Sequence, residues 1–231
     1  MNRREVLKTT LAASGALALG AARSAHAQAP RRGFHLKYAP HFGMFKASAG
    51  EHLIDQLKWA ADQDFTAWED NGMAGRPVEL QEKIATAMTR LGITMGVFVA
   101  MADFQNVTFA STKPEIVADI VTKAKAAVEV AKRVNAKWTT VVLGRYDVGL
   151  EWDYQTANVL DNLKRCIEVM EPAGLVMVLE PLNAWKDHPG LFLTKIPQAF
   201  QICRSLGSRN ARERAIPCAL PGRTTGPRYT G

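Results

Sequence analysis

Leu175-Val176-Met177-Val178-Leu179-Glu180-Pro181-Leu182-Asn183 stays apolar for five residues and then stops on a carboxylate and a proline. A short run that is apolar at every position fits a strand covered on both faces, as in a parallel sheet packed between helices. Ile93–Ala100 repeats this pattern, and together with Phe34–Ala39, Phe65–Glu69, Trp138–Leu143 and Leu175–Glu180 it makes up the candidate strands. Helical stripes separate them: Leu53, Ile54, Leu57 and Ala61; then Leu80, Ile84, Met88 and Leu91; then Val117, Ile120, Val121, Ala124 and Val128. A fourth helix carries Leu160, Leu163, Ile167 and Met170, and a fifth carries Ile196, Phe200, Cys203 and Leu206. Thr112-Lys113-Pro114-Glu115 reads as a capping box, Asp153 as the opening of the fourth helix, and Thr194 as a cap for the fifth. Trp59, in the first helix, is expected in the core.

Strand–helix units in a row predict a parallel sheet of right-handed crossovers. A doubly wound nucleotide-binding sheet has a Gly-rich turn after its first strand, but here that loop is Ala39-Pro40-His41-Phe42-Gly43-Met44-Phe45. A barrel places polar residues at the C-terminal ends of its strands, and His41, Glu69, Asp70, Arg145 and Glu180 all fall there. The fold class expected is therefore α/β, a partial (β/α)8 TIM barrel of about five units over residues 28–206. At about 35 residues per unit, eight units would need roughly 280.

The net charge of +7 would suggest a nucleic-acid partner were it spread over the fold. It is not. Residues 1–27 carry +3 and residues 207–231 carry +4, so the body between them is neutral and no nucleic-acid partner is expected. Residues 1–27 read as an export signal: Arg3-Arg4 in a basic start, an apolar run from Leu11 to Ala22, and the small-residue site Ala25-His26-Ala27. The paired arginines resemble a twin-arginine signal, which implies a periplasmic protein with no membrane attachment once the signal is removed. Cys166, Cys203 and Cys218 lack metal-type spacing and are expected to be ordinary thiols. Residues 207–231 hold five Arg, no Lys and no long apolar run, and are expected to form an irregular tail.

Glu180 is the most informative residue. A carboxylate locked behind an apolar strand by Pro181 stands where barrels place catalysis, although a helix cap or rim salt bridge uses the same position. Leu179-Glu180-Pro181-Leu182-Asn183, followed by Asp187-His188-Pro189-Gly190 and Leu193-Thr194, resembles the fifth-strand motif of hydroxypyruvate isomerase-like proteins in the xylose isomerase-like barrel superfamily. The resemblance covers residues 33–206. It implies an isomerase that moves a carbonyl between adjacent carbons of a small sugar or hydroxy-keto acid. It also implies that Glu180 is both a ligand of a divalent metal, Mg2+ or Mn2+, and one of two acid/base carboxylates. Such a reaction takes a proton from the carbon beside a carbonyl and returns it to the neighbour, so it needs a base and a means of stabilising the enediolate charge. The other implied ligands, an Asp and a His near strand six and a Glu at strand eight, have no counterpart, since His188 is the last histidine and Asp187 the last aspartate.

The remaining candidates each carry two readings. His41 lines a sugar pocket or packs its own loop. Glu69 faces substrate or makes a loop salt bridge. Arg145 holds a carboxylate or phosphate, or is an exposed loop arginine. Asn183 orients Glu180 or turns the chain, and His188 is a ligand or a turn residue. The chain as written is expected to be a truncated and inactive barrel whose tail arose from a shifted reading frame. Its open sheet edge and one exposed apolar face predict that it aggregates, self-associates into a homo-oligomer or is degraded. The rival reading is a catalytically silent periplasmic carbohydrate-binding protein.

Overall fold

The computed structural model describes residues 33–207. The expected export signal, and the expected tail beyond Gly207, lie outside these residues. In chain order the elements are α1 (Lys46–Ala49), α2 (Leu53–Asp62), β1 (Ala67–Trp68), α3 (Val78–Leu91), β2 (Thr94–Met95), β3 (Val97–Met101), α4 (Pro114–Val134), β4 (Trp138–Val141), α5 (Trp152–Met170), β5 (Val176–Leu179) and α6 (Ile196–Ser205). No described helix is long and apolar enough to cross a membrane.

Every strand pair is parallel: β1 with β2, β3 with β4, and β4 with β5. Thr139 sits between Phe98 and Met177, which fixes the register of the three-stranded ladder. β2 and β3 are two parts of one extended segment interrupted at Gly96. The Gly96 N–H donates to the Trp68 carbonyl at 2.7 Å, and Asp70 N–H donates to the Val97 carbonyl at 3.2 Å. A Cβ at Gly96 would stand 3.2 Å from the Trp68 carbonyl oxygen, so this break needs glycine for close approach. Strand order in space therefore follows chain order. A barrel does this, whereas a doubly wound sheet reverses at its centre.

The expected first strand does not form. Phe34–Ala39 contains no strand; just beyond it the chain meets the end of β1 through the His41–Glu69 bridge and a 2.9 Å bond from Glu69 N–H to the Pro40 carbonyl. Pro40 has no N–H to extend the ladder, and Phe34, Leu36 and Tyr38 stay exposed. The expected caps are also absent. The N-cap of α4 is Lys113 and that of α6 is Lys195, neither with a side-chain bond, while Asp153 lies in the first turn of α5 behind Glu151. There Asp153 favours the positive end of the helix dipole without capping it.

The stripes of α4 and α5 bury in large part, with Cys166 buried in place of Ile167, whereas Ile196 and Phe200 of the fifth stripe stay exposed and only Cys203 of it is buried. Ile120, Ala124 and Val128 of α4 and Leu163, Cys166 and Met170 of α5 are buried, and Trp68, Phe98, Phe109 and Phe192 are among the largest fully buried side chains. Each such apolar side chain stabilises the fold by about 1.5–3 kcal/mol. Trp59 is only half-buried and packs its ring on Phe45 at 4.6 Å. Burial pushes the Cys166 thiol up to about 12, which fits an inert thiol. Cys166 and Cys203 are both buried.

Four helices also carry a glutamine near their start, buried in three of them and half-buried in α6, and each one ties down the loop before it. Gln56 of α2 accepts from Gly43 N–H at 2.8 Å and donates to the Gly50 carbonyl at 3.0 Å. Gln81 of α3 donates to the carbonyls of Met73 and Arg76 at 3.0 and 2.8 Å. Gln155 of α5 accepts from Asp147 N–H at 2.7 Å and donates to the Leu150 carbonyl at 2.6 Å. Gln198 of α6, half-buried, donates to the Phe192 carbonyl at 3.0 Å. A buried amide satisfied at both ends adds stability and fixes loop shape.

Candidate active site

One face of the parallel strands, from the starts of β3 and β4 to the C-terminal ends of β1 and β5, lines a cavity of about 760 Å3. Gly96, Val97, Trp138 and Val178 form its apolar wall, and Glu69, Asn71, Thr140, Glu180, Asn183 and Thr194 supply its polar groups. The period-two geometry of β4 explains part of this arrangement. Trp138 and Thr140 face the cavity, whereas Thr139 turns away and donates its hydroxyl to the Phe98 carbonyl at 2.9 Å. Glu180 leaves β5 after the buried Leu179 and stands exposed at the mouth.

Glu69 is half-buried at the end of β1. Burial holds its carboxyl above the ordinary value near 4.5; the His41 charge opposes this and the Glu180 charge adds to it. The two carboxylates are therefore close enough to interact. The folded chain holds the Glu69 proton more tightly than the unfolded chain does. The stability linked to this proton is present below the ordinary glutamate range and is lost as pH rises through the raised value. Urea midpoints followed over about pH 4 to 7 should show wild type losing stability relative to Glu69→Gln as pH rises. Parallel profiles would show that Glu69 is not shifted.

The structure brings Glu69, Glu180 and Asn183 to one cavity. His41 lies beside Glu69 through the backbone bridge, with its exposed ring turned so that Nδ1 meets its neighbour's carbonyl, Phe42 O, at 2.9 Å. Arg145 and His188 are not among the cavity-lining residues. Arg145 Nη1 donates to the carbonyls of Phe104 and Pro189 at 3.4 and 3.0 Å, and the His188 ring stacks on Phe104 at 4.9 Å. Sequence reading missed Asn71, Thr140 and Trp138, and it took Thr194 only as a cap. The alternation Trp138-Thr139-Thr140 was the available signal, since it places Trp138 and Thr140 on one face.

The sequence profile described as "Xylose isomerase-like TIM barrel" matches residues 57–212. The chain belongs to the xylose isomerase-like TIM barrel family. No curated protein matches it in sequence. Several solved structures share the barrel fold. AP endonuclease, family 2, from Brucella melitensis is 16% identical with a TM-score of 0.62, over 78% of this chain and 66% of that one. IOLI protein with a binding zinc atom is 16% identical with a TM-score of 0.60, over 77% and 61%. D-psicose 3-epimerase with D-tagatose from Clostridium cellulolyticum H10 is 11% identical with a TM-score of 0.59, over 76% and 61%. This xylose isomerase-like chain thus spans less than two thirds of the length of these structures.

The zinc-bearing neighbour raises the question of a metal here. Among the described residues no three His, Cys, Asp or Glu side chains are grouped so as to hold one. Glu180 and Glu69 provide two carboxylates, and the His41 Nδ1 is already directed at its own loop. The described residues by themselves do not fit a metal site, which needs more converging donors than this.

Proposed function

We propose that this chain carries a site for proton transfer beside the carbonyl of a small sugar or hydroxy-keto acid, the chemistry of an isomerase or epimerase, with Glu180 as the base. The observation that carries this reading is the convergence of Glu180, Glu69, Asn183 and Thr140 on one cavity lined by a face of a parallel barrel sheet. A carboxylate takes the proton, the C–H electron pair becomes the C=C of an enediolate, and the carbonyl oxygen takes the charge. The carboxylic acid so formed returns its proton to a carbon of the enediolate, which restores the carboxylate and completes the transfer. The hydroxyl of Thr140 and the amide of Asn183 are placed to bind sugar oxygens, and the wall of Trp138 and Val178 packs against carbon. The D-psicose 3-epimerase named above, which shares the fold, supports a sugar as the substrate class.

The test is solvent-deuterium exchange into D-tagatose and into hydroxypyruvate, followed by NMR with the purified chain. Exchange at the carbon beside the carbonyl, above the rate without protein, is the expected result. Binding of D-tagatose with no exchange would overturn the catalytic reading and support a carbohydrate-binding protein instead.

A further inference from the structure

Three loops at the mouth of the sheet are joined by main-chain bonds. Arg145 N–H donates to the Asn106 carbonyl at 2.9 Å, Tyr146 N–H to that of Gly190 at 3.2 Å, and Phe192 N–H to that of Gly144 at 2.9 Å. Antiparallel bridges pair Val107 with Gly144 and Arg145 with Leu191. Across this ladder lies the Arg145 guanidinium, bonded to the carbonyls of Phe104 in one loop and Pro189 in another. Gly190, at φ +86°, closes on that guanidinium so tightly that a Cβ there would collide with it. Among the described residues Arg145 makes no ion pair; its polar contacts are these main-chain carbonyls.

The loop held in this way carries a cavity residue. Asn183 receives the His188 N–H on its carbonyl at 2.8 Å and the Trp185 N–H on its Oδ1 at 2.9 Å, and its Nδ2 donates to Asp187 at 3.3 Å. The stretch from Asn183 to His188 is therefore one bonded turn, and Arg145 grips it at Pro189.

We propose that Arg145 is a positioning residue that locks the β5–α6 loop and so keeps Asn183 at the cavity wall beside Glu180, rather than a ligand for a substrate anion. The consequence for substrate rests on the proton-transfer reading above, whereas the consequence for the loop does not. A guanidinium spent on main-chain carbonyls stabilises one loop conformation and acts equally on neutral and anionic substrates. A guanidinium that recognises an anion discriminates between them.

Two measurements test this on the purified chain. In amide hydrogen exchange, Arg145→Ala should speed exchange at His188 and Tyr146 by about tenfold, the size of one lost hydrogen bond to a charged group. Arg145→Lys should fall between wild type and Arg145→Ala, because one ammonium can keep one of the two carbonyl bonds. Gly190→Ala should loosen the same amides, through its φ of +86° and through contact with the guanidinium, and its effect should shrink in the Arg145→Ala background, where only the backbone strain remains. In the second measurement, Arg145→Ala should weaken neutral D-tagatose and anionic hydroxypyruvate by the same factor. Unchanged protection at His188 and Tyr146, or a loss confined to hydroxypyruvate, would overturn the proposal. If neither probe binds wild type, the proton-transfer reading fails, and amide exchange alone decides the role of Arg145.

Discussion

Glu180→Gln should cut turnover in the deuterium-exchange assay by about 10²- to 10⁴-fold, the usual contribution of a single general acid or base. The amide matches the carboxylate in shape but cannot accept the proton. Glu180 is exposed, and no hydrogen bond or ion pair holds it among the described residues, so stability should stay within about 0.5 kcal/mol of wild type. The pairing of the two outcomes is informative. A large loss of exchange with an unchanged urea midpoint assigns the chemistry to the carboxylate itself. Near-normal exchange in the variant would remove Glu180 from the mechanism.

The largest expected effect on stability lies nearby. The Asp70 side chain is 4% exposed, and Arg76 bonds both of its oxygens, Nε to Oδ2 at 2.5 Å and Nη2 to Oδ1 at 3.0 Å. Gly72 N–H adds a third bond at 3.1 Å, and Arg76 lies over the Phe42 ring at 5.2 Å. Asp70→Ala strands a guanidinium that is 23% exposed in a site built for its partner. Breaking a buried pair from one side costs about 3–5 kcal/mol, and the partial solvation of Arg76 puts this case near about 3. The urea midpoint should fall by about 1–2 M at an ordinary slope for a chain of this size. Asp70→Asn, which can still accept one bond, should lose less. A midpoint unchanged in Asp70→Ala would mean that the pair contributes nothing net.

Much of the fold was legible because burial on both faces leaves a clear mark. Leu175–Glu180 and Trp138–Leu143 appear as β5 and β4, shortened by a residue or two, and the stripes appear as five long helices. What was not legible depended on neighbours distant in the chain. Phe34–Ala39 alternates apolar and polar residues as a half-buried strand does, but Phe34, Leu36 and Tyr38 stay exposed, so no packed face holds it as a strand. The run Ile93–Ala100 hides its break because Gly96 matters only through its approach to Trp68. The caps failed because Thr112 and Thr194 satisfied a spacing rule while the helices began one residue further on. Within the site, Glu180 announced itself by standing behind an apolar strand. Arg145 occupies a comparable strand-end position, and nothing in its local sequence distinguishes a residue facing the cavity from one bonded to the carbonyls of two other loops. The buried glutamines escaped because a periodicity search counts apolar residues and passes over an amide placed in their stripe.

Those glutamines bear on how such a chain can change. Gln56, Gln81, Gln155 and Gln198 each hold the loop that precedes their own helix, so each loop–helix unit is a cassette closed by its own latch. Each latch fixes the base of its own loop, while main-chain bonds tie the loops before α4, α5 and α6 to one another, so only the loops before α2 and α3 can change singly. Grafting a loop from another barrel before α2 or α3 should therefore succeed when the donor segment brings its glutamine and misfold locally when it does not. Diversification of substrate on this scaffold would then proceed singly at the loops before α2 and α3 and jointly at the three bonded loops.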